Sequence, residues 1–164
     1  MRSLGFIAGH NANRYFPDYL ESGTRTTRAS IRTLSNAMDV GSPSNFERLQ
    51  SLFPQEELRK LVSGYSITDN DTRATIKHVF DATGYLADPH TAVGLRSARL
   101  FRKDHADPDL PIIVLSTAHP AKFDLGIDGP VTIDLLTDAK MSFRSIKNSL
   151  SDLTEIVLER SSTS

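Results

Sequence analysis

The 164-residue chain has no cysteine and no tryptophan. Without thiols, disulfides, thiolate metal sites and a cysteine nucleophile are all excluded. An excess of one charge is lacking too. There are 19 Lys+Arg against 20 Asp+Glu, a formal net charge of -1. A broad nucleic-acid face or a polybasic membrane surface leaves a basic excess, so neither partner is expected. Long apolar runs are missing; the cleanest are Leu4 to Ala8 and Ile112 to Leu115. A bilayer span takes about 20 apolar residues and a signal core about 7–15, so no membrane segment or export signal is expected. The protein is read as cytoplasmic. Also missing are a Gly-rich phosphate loop, G-x-S-x-G, H-E-x-x-H and a calcium-type acidic ladder, and none of the 5 histidines form an i, i+4 pair. No metal site is expected.

What is present reads as α/β. Leu4 to Gly9 is short and apolar, as a buried parallel strand is. Asn13 to Leu20 reads as a short helix interrupted by Pro17, and Gly23 to Ala29 as a loop. Ser44 and Glu47 carry a capping-box spacing before Phe46, Leu49 and Phe53, which share one helical face. Pro54 opens another turn whose apolar face is Leu58, Leu61 and Val62. Asp69 to Thr83 reads as a helix with Ile76, Val79 and Phe80 at helical spacing and Gly84 as its stop. Asp88 caps a helix with Pro89 at its first position, running to about Lys103. Ile112 to Ser116 is the clearest strand, and Val131 to Leu135 offers a third. Phe143, Ile146, Leu150, Leu153 and Val157 make the stripe of a C-terminal amphipathic helix. Two or three strands make a thin sheet with open edges, so further strands are expected elsewhere.

Three clusters carry chemistry. In the first, hydroxyls, amides and Arg48 surround the helix start at Ser44 and Asn45. Such an end attracts anions, although an ordinary capped helix explains the same pattern. In the second, His90 opens a helix behind Asp88 and Pro89. It suits a neutral donor or a general base, while the capping rules account for each residue structurally. In the third, Ser116, Thr117, His119 and Lys122 follow the clearest strand directly. Ligands in α/β sheets bind at the carboxyl ends of strands, but a polar strand-to-helix turn reads the same way.

Four strings in one order carry a family resemblance. They are Thr33 to Val40 (TLSNAMDV), Pro43 to Arg48 (PSNFER), Thr83 to Leu86 with Asp88 to Gly94 (DPHTAVG), and Ser116 to Phe123 (STAHPAKF). With the amide turn Asn11 to Asn13, they resemble threonine synthase, a pyridoxal-phosphate lyase of fold type II, in its longer microbial and fungal branch. The resemblance spans about residues 4 to 125; after Phe123 no further string is recognisable. It implies part of the large domain of such an enzyme, with few parallel strands and several covering helices. Residues 1–125 would be the C-terminal part of the catalytic domain and 126–164 a helical tail. The reaction implied converts O-phosphohomoserine and water to threonine and phosphate, with pyridoxal 5'-phosphate as cofactor.

Of the residues here, the resemblance assigns Thr117 to the cofactor's pyridine nitrogen. A hydroxyl partner leaves that nitrogen less positive than a carboxylate would. Ser44, Asn45 and Arg48 would hold the substrate phosphate. The family's Schiff-base lysine lies in a segment without counterpart here, so no catalytic residue is assigned and the chain alone is expected to be inactive. A second reading makes Lys122 a relocated Schiff-base lysine. A third is a non-catalytic interaction module derived from the enzyme. Its partner would be the missing N-terminal half or a second copy, met at an open sheet edge.

Overall fold

The structure is a computed structural model that describes residues 5–105, 110–123 and 125, with Ser149, Ser151, Thr154 and Leu158. The chain divides into two compact units, Met1–Val131 and Thr132–Ser164. In the second, Ser151, Thr154 and Leu158 are helical and exposed. The apolar stripe expected there, and the strand expected at Val131 to Leu135, lie outside the described residues.

The first unit is α/β, with strands β1 (Phe6–His10) and β2 (Val62–Ser66) pairing in parallel. Phe6 lies opposite Val62 and His10 opposite Ser66. A parallel pair needs a long crossover. Here it contains α1 (Tyr15–Ser22), α2 (Phe46–Leu52) and α3 (Gln55–Leu61). Helices α4 (Asp69–Thr83) and α5 (Pro89–Asp104) follow.

Successive strand residues point to opposite faces. Ala8 joins an aromatic core on one side, built of Tyr15, Phe16, Tyr19, Phe46, Leu20 and Leu58. Phe46 meets Tyr15, Phe16 and Tyr19 edge-on, with ring centroids 5.2, 5.5 and 4.8 Å away. Gly9 faces α5 instead. A β-carbon there would stand 2.6 Å from the Ser97 hydroxyl, so only glycine lets helix and strand approach this closely.

Several expectations hold. Asp69–Thr83 is a helix closed by Gly84 at φ 73, and Asp88 caps α5 by accepting from the His90 and Thr91 amides. Others are corrected. Pro17 does not interrupt α1, because it falls in the first turn, where its missing N–H would have no helical partner anyway. The capping box at Ser44 does not form. Asn45 is the cap, no side chain bonds the helix end, and the Glu47 carboxylate pairs with Arg25 at 2.9 Å. Phe46 is buried, whereas Leu49 and Phe80 are exposed. Val62 leaves the helical face expected of it and opens β2, an element with too few apolar residues to stand out in sequence. The largest correction concerns Ile112 to Ser116. It is extended but belongs to no strand of the described sheet.

Candidate functional site

The carboxyl end of β1 is built from amides and one carboxylate. Asn11 and Asn13 are buried directly after the strand. Buried polar groups need partners, and these find them in the loop before α2. The Asn11 side-chain amide reaches the Thr33 hydroxyl at 2.9 Å, and the Ser35 hydroxyl and Asp39 carboxylate at 3.0 Å. Asn13 donates to the Ile31 carbonyl at 2.8 Å and to Asp39 at 3.1 Å, while its own carbonyl accepts the Ile31 N–H at 2.7 Å. Asp39 also accepts the Thr33 N–H at 2.9 Å and its hydroxyl at 2.7 Å. One carboxylate thus ties residues 31–40 to the strand end.

Asn11, Asn13 and Ser35 form one wall of a pocket of about 110 Å³, with His10, Tyr15, Met38 and His90 among its other lining residues. Burial holds the His10 imidazole below its ordinary pKa of 6.5, against the opposing effects of a backbone hydrogen bond with Asn13 and the charge of Asp18. Across the pocket, α5 presents His90 from its first turn. A more open groove of about 460 Å³ flanks the body of β2. There Tyr65 donates to Asp104 at 3.0 Å, and burial, aided by that carboxylate, pushes the phenol up to about 12. It does not sit at the strand ends, where ligands of α/β sheets bind.

Residues 110–123 run back along α5. Arg102 donates to the Leu110 carbonyl at 3.1 Å, and a β-carbon on Gly94 would meet Val114 at 3.0 Å. Further on, the Ser116 hydroxyl lies 3.4 Å from that of Thr91 and 3.1 Å from that of Tyr85. The Phe123 ring reaches His90 at 5.2 Å. The segment therefore brings its polar end to the N-terminus of α5.

Thr117, the residue assigned to the cofactor, is exposed at this end and does not line the pocket. Ser44, Asn45 and Arg48 are exposed at the start of α2, next to Pro43, which does line it. The structure does not bring Thr117 and these three together in the pocket. Lys122 is exposed in a short 3-10 turn, Pro120–Lys122. No lysine lines the pocket among the described residues. Nor do the described residues hold any group of three or more His, Asp or Glu suited to a metal. No described helix is long and apolar enough to cross a membrane.

Sequence reasoning gave Tyr15 and Asp39 no role. Asp39 sits inside a quoted string, but only folding shows that it meets Asn11 and Asn13.

A family model described as "Threonine synthase, C-terminal" matches residues 91–157. The match continues well past Phe123, so the similarity extends into the tail, where no further string was recognisable. Among curated proteins, the chain is 39% identical over 129 residues to threonine synthase of Buchnera aphidicola from Acyrthosiphon pisum, covering 74% of this chain and 29% of that protein. It is 36% identical over 141 residues to threonine synthase of Escherichia coli K12, covering 82% and 32%. Among solved structures, PLP-bound threonine synthase from Brucella melitensis superposes with a TM-score of 0.76 at 33% identity, covering 96% of this chain and 40% of that one. The chain is thus similar to part of threonine synthases and spans about a third of the curated relatives' length.

Proposed function

We propose that this chain is the C-terminal portion of a threonine synthase-like, PLP-dependent phospho-lyase, acting on O-phosphohomoserine in the cytoplasm and catalytically incomplete by itself. One observation carries the reading. The amide turn at Asn11 and Asn13 and the TLSNAMDV segment, which are far apart in sequence, fold together as one wall of a pocket at a strand's carboxyl end. They do so in a fold shared with a PLP-bound threonine synthase.

Toward the cofactor, Thr117 is the residue assigned here, although it does not line the pocket. Thr117 offers an exposed hydroxyl at the end of an extended segment, suited to a flat ring nitrogen. No described lysine lines the pocket to anchor the cofactor's carbonyl. When bound, the cofactor supplies the electron sink for bond breaking. Ser44, Asn45 and Arg48 would hold the substrate phosphate, Arg48 through charge-assisted hydrogen bonds. Incompleteness has further support in Ile113 and Leu115, both left exposed on an extended apolar stretch. A missing N-terminal part of the enzyme would cover them. The same face would serve a non-catalytic interaction module, the alternative reading.

The test is phosphate release from O-phosphohomoserine with added PLP. The chain alone should release none. Adding the N-terminal part of the Escherichia coli enzyme should restore release, and Thr117→Val should slow it while weakening cofactor retention. Turnover by the chain alone overturns the incomplete-enzyme reading. An unchanged rate and affinity in Thr117→Val removes that residue from the cofactor site.

A further inference from the structure

The groove of about 460 Å³ beside β2 runs along an edge of the sheet. Its lining includes four consecutive strand residues, Val62 to Tyr65. Neighbours along a strand point to opposite faces, so a groove that touches all four does not lie over one face. Gly64 faces α1, where a β-carbon would stand 3.3 Å from Leu20 and from Pro17. Tyr65 faces the other way and donates to Asp104, 3.0 Å away at the end of α5. Pro17, Leu20 and Asp104 line the groove too, so it is walled from both faces. β1 takes the opposite edge, and among the described residues this one has no strand partner.

A free edge presents a row of N–H and C=O groups to any passing strand. Proteins guard such edges with charged side chains, prolines or bulges. The strand here, Val-Ser-Gly-Tyr-Ser, carries no charge and no proline. The charges stand at its two ends instead. At the amino end, Arg59 is exposed in the last turn of α3, which runs straight into β2. It donates to the Leu20 and Glu21 carbonyls. At the carboxyl end, Asp104 is exposed beside Tyr65. Glu21 also lines the groove, but its carboxylate pairs with Arg14 at 2.6 Å. The edge is thus positive at one end and negative at the other.

We propose that two copies of this chain join at this edge, β2 pairing antiparallel with the partner's β2 about a twofold axis near Ser63 and Gly64. A twofold axis makes the contact self-complementary and reverses one strand against the other. The positive end of each copy then meets the negative end of its partner, Arg59 against the partner's Asp104, twice. That match is what selects a second copy over an unrelated strand. Ser63 and Gly64 at the axis are small enough for the two backbones to approach. The sheet becomes four-stranded, in the order β1-β2-β2-β1, and backbone hydrogen bonds close across its middle. This inference stands apart from the enzymatic reading.

The experiment is sedimentation equilibrium of the 164-residue chain over a range of concentrations. The mass should rise with concentration toward twice that of the monomer. Ser63→Lys, which puts a charge on the edge, should hold the chain monomeric. Arg59→Glu and Asp104→Arg should each weaken the dimer about tenfold, because both end contacts turn repulsive. An equimolar mixture of these two variants should dimerise about as well as the wild type. In that mixture one copy is positive at both ends and the other negative at both. Circular dichroism checks that each variant is folded; if a charge variant is not, the wild type and Ser63→Lys decide. A wild-type chain that stays monomeric at every concentration overturns the proposal. So does a mixture no tighter than its separate variants. A dimer that survives Ser63→Lys also overturns it and moves the contact elsewhere, such as the exposed face at Ile113 and Leu115.

Discussion

Ile76 and Ile113 are the same residue in two regions with opposite fates. Ile76, in α4, is 2% exposed, whereas Ile113, in the extended stretch after Pro111, is 84% exposed. Both sit in apolar patterns that predict burial. The difference lies in what each element needs. A helix closes its backbone hydrogen bonds within itself, so α4 has only to lay one face on α5. A strand closes its bonds only with a neighbour. Residues 112–116 have the apolar composition of a strand, but no described strand pairs with them. They follow α5 instead, with Ile112 and Val114 half-buried and Ile113 and Leu115 outward. Apolar sequence is a local property, while burial requires a second surface.

The largest effect tests that contrast. Ile76→Ala should destabilise the chain by about 2–5 kcal/mol through the cavity it leaves. Ile113→Ala should stay within about 0.5 kcal/mol, as exposed substitutions do. Denaturant unfolding of the two variants measures both. A large loss at Ile113 would show that its face is covered within the chain itself.

A smaller effect separates two helix starts. Thr68 accepts the Asp71 N–H at 3.1 Å, so Thr68→Ala should cost about 0.5–2 kcal/mol, the usual worth of a cap. Ser44 bonds no helix end, so Ser44→Ala should cost less than about 0.5 kcal/mol. Equal losses would mean that the capping box at Ser44 forms after all.

The smallest effect is a slope in pH. His10 titrates below its ordinary pKa of 6.5 in the fold because burial disfavours the charged ring. Its contribution is therefore fully present above 6.5 and is lost as the pH falls from there through the lowered folded value. His10→Asn should flatten that part of the stability profile. An unchanged slope would mean that other groups produce it.

Much of this molecule follows from sequence alone. Helix α4 has its apolar spacing and its stop at Gly84, and α5 has the cap at Asp88 and Pro89 in its first turn. These features act within a few residues, so local order reveals them. The strings of the family resemblance are legible for the same reason. Only the tertiary structure decided that Val62–Ser66 is a strand, because its stability comes from pairing with Phe6–His10 across the chain. Only it placed Asp39 against Asn11 and Asn13, and Tyr15 with His90 in one pocket. Those groups are set by the packing of separate elements, and nothing in their local spacing records it.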